Sequence, residues 1–152
     1  MSDDFNPSSF ANRIVVGVDG SDSSVEALRY AARLSIALAT PLTAVLVWAP
    51  PMPPPHGRHQ DSPSKAAARA LATTVAQAYR EGPPPGLRSV LVRGHAASVL
   101  VTIGDVCVTL VVGRRGRGGF PDLLLGSAAR ACATHARCPV LIVPIRRDAG
   151  SA

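Results

Sequence analysis

Residues 111–127 read VVGRRGRGGFPDLLLGS, and the rest of the chain falls into place around them. An apolar, β-branched run from Val108 to Val112 stops at Gly113. A loop carrying Arg114, Arg115 and Arg117 follows, and Gly126-Ser127 then opens an alanine-rich segment that begins with Ala128. A strand, a glycine loop and a helix start, in that order, are the parts needed to hold an anionic group, commonly a phosphate, on backbone N–H groups. Gly113 and Gly116 let the main chain approach oxygen atoms with no Cβ in the way. Gly126 and Ser127 bring N–H donors, a hydroxyl and a helix N-terminus to the other side of the same anion.

Two common phosphate motifs are excluded. No G-x-x-x-x-G-K-[ST] occurs, and the only lysine is Lys65. The dinucleotide fingerprint fails as well, because Gly116-x-Gly118 runs into Gly119-Phe120-Pro121 and the loop trails the fourth strand instead of the first.

Working outward, further short apolar runs predict strands at Arg13 to Val18, Leu42 to Trp48, Leu87 to Val92 and Cys138 to Pro144. Helices are predicted between them. The first begins at the capping-box pattern Ser23-x-x-Glu26 and ends near Thr40-Pro41, with a broad apolar face that runs through Val25, Leu28, Ala32, Ile36 and Ala39 and through Ala27, Ala31, Leu34 and Leu38. The second spans Ser64 to Arg80 and the last Ser127 to Ala136. Ala96 to Gly104 is apolar throughout and reads as a helix because a parallel connection needs a crossover. Ala49 to Pro63 is too rich in proline for regular structure and suits a lid or flap. Strands alternating with helices predict an α/β, doubly wound, Rossmann-like sandwich of three layers around a parallel sheet. Ligands bind such sheets outside the carboxyl ends of the strands, where strand order reverses, and the turns after Val18 and Val112 lie at two such ends.

The totals agree. A chain of 152 residues, 47% hydrophobic and 17% charged, fits one globular domain, placed at 13–146 between loose, polar segments 1–12 and 147–152. The formal charge of +6 comes from fifteen arginines and one lysine, dispersed apart from the three in the loop. Aromatic residues are only 4%, which argues against a nucleic-acid partner read through stacking platforms. Cys107, Cys132 and Cys138 form no CxxC and read as reduced, buried side chains of a cytoplasmic protein. No basic n-region, apolar leader or span of ~18 apolar residues is present, so no membrane partner is expected.

The spacing Gly113-x2-Gly116-x9-Gly126-Ser127 resembles that of the universal stress protein family, in the branch whose members bind ATP through G-2x-G-9x-G(S/T). The resemblance extends to VVGVDGS at 15–21, VRGH at 92–95 and CPVLIVP at 138–144, and covers most of residues 13 to 145. It implies a five-stranded parallel sheet in order 3-2-1-4-5, of the adenine nucleotide alpha hydrolase-like kind, holding ATP with Mg2+ or Mn2+. Gly17 and Asp19 would then line the adenosine side, with Asp19 near the ribose or a metal. Val47 would offer backbone groups to the adenine edge. Val112, Gly113, Arg114, Arg115, Gly116, Arg117, Gly126, Ser127 and Ala128 would hold the phosphates. The final strand, Val140 to Val143, would pair in a homodimer, and the protein would signal a stress or energy state.

No efficient ATPase is expected: no carboxylate is placed as a general base and the lysine of a phosphoryl-transfer site is missing, leaving at most slow hydrolysis or autophosphorylation. An AMP or cyclic-nucleotide sensor, a dimeric scaffold with an empty loop, and a weak nucleic-acid binder remain as alternatives. Asp19 could also serve only as a turn or helix-entry residue. His95 reads as a turn residue, and Trp48 and Tyr79 as packing. Arg114 and Thr109 depart from the family, which commonly has a small polar residue and an aspartate at those places.

Overall fold

Val15 and Val16 are both fully buried, so the strand carrying them is covered on each face. The computed structural model describes residues 5–50, 62–117 and 124–145. Its strands are β1 (Ile14–Val18), β2 (Leu42–Trp48), β3 (Arg88–Arg93), β4 (Thr109–Gly113) and β5 (Val140–Val143). Its helices are α1 (Asp22–Leu38), α2 (Pro63–Ala78), α3 (Ala96–Gly104) and α4 (Ser127–His135). All strand pairs are parallel, in the order β3-β2-β1-β4-β5. The expected topology is therefore observed.

Strand periodicity of two sorts the core into two halves. Ile14, Val16 and Val18 of β1, with Leu42, Ala44 and Leu46 of β2, face α1 and α2. Val15, Val45, Leu110 and Val112 face α3 and α4. Because β2 and β3 lie to one side of β1 while β4 and β5 lie to the other, α3 must cross to the opposite layer. The carboxyl ends of β1 and β4 then splay apart, and a crevice opens between them.

Three expectations need correction. Helix α1 is capped by Ser21, whose hydroxyl accepts the Ser24 N–H at 3.2 Å, and not by Ser23, which lies inside the helix and is buried. The pattern Ser23-x-x-Glu26 is present, but Asp19 already holds Ser21 in the cap position, so the helix starts earlier. The apolar face of α1 also ends sooner than predicted: Ile36 is 75% and Leu38 51% exposed, and the buried residues of the helix stop at Ala32. Residues just ahead of β1 are packed. Pro7–Phe10 form a 3-10 turn, Phe10 is buried, and Arg88 lies over its ring while donating to the Ser9 carbonyl at 2.7 Å. Most of the expected 49–63 flap, at 51–61, lies outside the described residues, as do 1–4 and 146–152.

Candidate functional site

The crevice at the β1/β4 switch point has a volume of about 480 Å³, within the usual range for small-ligand sites. Its floor is aliphatic: Val45 and Val47 of β2, Leu100 of α3 and Val112 of β4. Gly17 lies among them, where an added Cβ would come within 3.1 Å of Leu100. Its rim is polar, with Asp19, Ser21 and Ser24 on one side and Arg115, Gly116, Arg117, Gly126 and Ser127 on the other.

Asp19 ties the two sides together. Its Oδ1 accepts the Ser21 N–H at 2.9 Å and the Ser21 hydroxyl, and its Oδ2 accepts the Arg117 N–H at 2.8 Å. One carboxylate thus shapes the β1–α1 turn, secures the α1 cap and pins the glycine loop. Gly20, with φ of +86°, completes the turn in a conformation that side chains rarely adopt, and the Arg117 guanidinium lies over it.

The loop glycines are needed first for protein contacts. A Cβ on Gly113 would run into the Ser23 side chain and lie 2.9 Å from the Ser23 carbonyl carbon. One on Gly116 would lie 2.5 Å from Asp19 Oδ2, and one on Gly126 would lie 3.1 Å from the Gly116 nitrogen. Sequence alone suggests that the absent side chains make room for a ligand; at Gly113 and Gly116 that room is taken by Ser23 and Asp19. The loop closes on itself through Gly126 N–H to the Arg114 carbonyl, 2.8 Å.

Helix α4 starts at Ser127 behind Gly126, which has no side chain to cap it. The leading amides, at Ser127, Ala128 and Ala129, therefore meet the crevice without a side-chain cap. Helix α3 likewise starts uncapped, since His95 occupies its N-cap without a side-chain bond, and its first residue, Ala96, also lines the crevice. Two positive helix ends and two arginines thus line a space with a single carboxylate among the described residues, and the rim favours an anion.

Of the twelve residues predicted for the site, all but Arg114 line this crevice. The Arg114 side chain turns to the loop's return and donates from Nε to the Leu124 carbonyl at 2.9 Å, while its N–H bonds Val143 of β5. Prediction missed Val18, Ser21, Ser24, Val45, Ala96, Leu100, Leu125 and Ala129. Ser21 was legible as the first serine after the Asp19-Gly20 turn; Leu100 and Ala96 were not, because only the crossover brings α3 over β1. His95 and Trp48 do not line the crevice. Tyr79 packs elsewhere, donating to the Leu28 carbonyl at 2.6 Å, and burial pushes its phenol up to about 12. No group of three or more His, Cys, Asp or Glu suited to a metal ion occurs among the described residues. Nor is any described helix long and apolar enough to cross a membrane.

Comparison with known proteins gives a consistent picture. The model of the universal stress protein family matches residues 11–144. Universal stress protein Rv2623 of Mycobacterium tuberculosis is 34% identical over 138 residues, which are 86% of this chain and 46% of that protein. Universal stress protein Rv2624c of the same organism is 30% identical over 135 residues, 89% of this chain and 49% of that protein. The chain therefore spans about half the length of the curated relatives it matches. Among solved structures, a universal stress protein in complex with cAMP superposes with a TM-score of 0.63 at 27% identity, covering 88% of this chain and 97% of the other.

Proposed function

The chain belongs to the universal stress protein family, and we propose that its crevice binds an adenine nucleotide, with ATP as the principal ligand, in a stress-responsive signalling role rather than as a fast enzyme. One observation carries this reading. An aliphatic floor of Val45, Val47, Leu100 and Val112 lies under a rim of Arg115, Arg117 and uncapped α4 amides. A flat, weakly polar base fits the first, and a chain of phosphates fits the second. In this placement Gly17, Asp19 and Val47 flank the nucleoside. Gly113, Arg115, Gly116, Arg117, Gly126, Ser127 and Ala128 surround the phosphates.

The donor set also bears on the divalent ion expected with ATP. Among the described residues Asp19 is the single carboxylate on the rim; its Oδ1 already accepts two hydrogen bonds and its Oδ2 one, so only Oδ2 keeps a further lone pair. That suits Mg2+ or Mn2+ held largely by phosphate oxygens and water, with Asp19 at most one ligand. The ion would supply charge neutralisation that Arg115 and Arg117 share.

A cyclic nucleotide is the second reading, favoured by the relative solved with cAMP. Titration calorimetry with ATP, AMP and cAMP, each with and without Mg2+, separates the two. Tightest binding of ATP, strengthened by Mg2+, is expected; a preference for cAMP selects the second reading. No heat for any of the three, with the fold intact, overturns both. Among the described residues strand β5 ends the sheet and pairs only with β4, and this edge supports the further proposal that two copies pair along Val140–Val143.

A further inference from the structure

The three cysteines, far apart in sequence, come together at the amino ends of β4 and β5. Cys107 lies two residues ahead of β4 and Cys138 two residues ahead of β5, and their sulfurs are 3.7 Å apart. Cys132, fully buried on α4, belongs to the same core cluster. All three are free thiols. We propose that Cys107 and Cys138 form an oxidation site, closed by a hydrogen-peroxide-class oxidant into an intrachain disulfide that staples the edge strand β5 to β4.

The local backbone is already arranged for the bond. The Cys138 N–H donates to the Gly104 carbonyl at 3.1 Å, and the Leu110 N–H donates to the Pro139 carbonyl at 3.1 Å, so both chain segments are fixed. Gly104 leaves the room: a Cβ there would lie 3.6 Å from Cys138 Sγ and 2.8 Å from Ala136 Cβ. Joining the sulfurs at about 2.05 Å asks each to move by less than ~1 Å, within reach of small side-chain rotations.

Order of reaction follows from exposure. Cys107 is 7% and Cys132 0% exposed, whereas Cys138 is only partly covered. Burial, and next the charge of Cys138, hold the Cys107 thiol well above the usual range; burial also pushes Cys132 up to about 11. Cys138 is thus the sulfur that meets the oxidant. Its thiolate attacks one peroxide oxygen, the O–O bond breaks, and a sulfenic acid and hydroxide result. The Cys107 sulfur then attacks the sulfenic sulfur, its proton leaving with the displaced oxygen as water. In total, two thiols and one peroxide give one disulfide and two waters. Cys132 is left over and stays reduced.

The staple acts at the end of the sheet opposite the crevice, because all strands are parallel and the crevice is at their carboxyl ends. Its effect is on stability. The loop between Cys107 and Cys138, 31 residues apart, carries the glycine loop and α4, and closing it restricts the unfolded chain.

The test treats the reduced protein with equimolar hydrogen peroxide, then titrates thiols after denaturation, maps peptides by mass spectrometry and records melting with and without dithiothreitol. The expected result is a fall from three titratable thiols to one, a Cys107–Cys138 linked peptide, and a melting temperature higher by about 7–15 °C, reversed by dithiothreitol. Cys132→Ser should form the same link, while Cys138→Ser should lose it. A Cys132–Cys138 peptide, a chain-to-chain disulfide, or stable sulfinic acid at Cys138 without a cross-link would each overturn the proposal. Since the mapping uses the natural sequence, it decides the matter even where a cysteine variant fails to fold.

Discussion

Gly116→Ala tests the central geometric claim, that Asp19 pins the glycine loop. The new methyl would lie 2.5 Å from Asp19 Oδ2, where ordinary contact begins at 3.4 Å, so one side must yield by about 0.9 Å. Adding that displacement to the 2.8 Å Arg117 N–H bond stretches it to about 3.7 Å, beyond hydrogen-bond reach. A bond to a charged acceptor contributes roughly 1.5–3 kcal/mol when buried; this one is exposed, so about 1 kcal/mol is the appropriate figure. In a chain of this length the melting temperature should fall by about 2–4 °C. ATP affinity should drop about five- to tenfold, because Arg117 and the Gly116 amide leave their places on the rim. A double-mutant cycle makes the test specific. Asp19→Ala removes the clashing oxygen and the acceptor together, so Gly116→Ala added to it should cost little more than Asp19→Ala alone. Calorimetry and thermal melts on the four proteins read both quantities. Additive losses would refute the reasoning, since the methyl would then be felt by something other than Asp19, and a Gly116→Ala protein identical to the parent would refute it outright.

Arg115→Gln and Arg117→Gln should each weaken ATP by roughly threefold to tenfold and adenosine by less than twofold, with the ATP loss shrinking as salt is raised. Equal losses for both ligands in calorimetry would place the guanidiniums away from the phosphates. Tyr79, pushed up from 10.0 to about 12 by burial, releases its proton earlier in the unfolded chain; stability it confers is therefore full below pH 10 and lost as pH rises toward 12. Urea unfolding between pH 9 and 11 should show a steeper decline for the parent than for Tyr79→Phe, the residual slope coming from Cys107 and Cys132; parallel declines would disprove the assignment. At β5, the carbonyls of Pro139 and Val143 bond to the β4 side, so by alternation the N–H of Ile142 faces the open edge. Ile142→Pro should then leave a folded monomer where the parent is a dimer by light scattering, and a variant still dimeric would exclude the edge as the interface.

Much of the fold could be read from residue types because the three inner strands, β1, β2 and β4, are compact apolar runs covered on both faces, which leaves little choice of layer or direction. Where reading failed, the cause was tertiary. The apolar stripe of α1 continues through Ile36 and Leu38, yet among the described residues nothing covers them, and both are exposed. The capping pattern at Ser23 is a sound local signal, but Asp19 fixes Ser21 as the cap two residues earlier and leaves Ser23 buried, where its hydroxyl meets the Arg115 N–H at 3.4 Å. The proximity of Cys107 to Cys138 depends on parallel pairing of β4 with β5, which no local spacing encodes.

The glycine spacing carries a deeper lesson about what such a motif specifies. Gly113 must be glycine to pass Ser23, Gly116 to pass Asp19, and Gly126 to pass the Gly116 amide. None of these neighbours belongs to a ligand. The x2 separation sets two contacts with the β1–α1 turn, and the x9 separation returns the chain so that Gly126 can bond Arg114 and open α4 beside Gly116. The anion-binding rim therefore follows from how the loop folds against its own protein, with donors left pointing into the crevice once those contacts are made. Substitutions at these glycines should be read through folding as much as through binding. The side chains of Arg115 and Arg117 take no part in the contacts that demand glycine at 113, 116 and 126. They are the positions at which the charge offered to a phosphate can be altered without disturbing those glycine contacts.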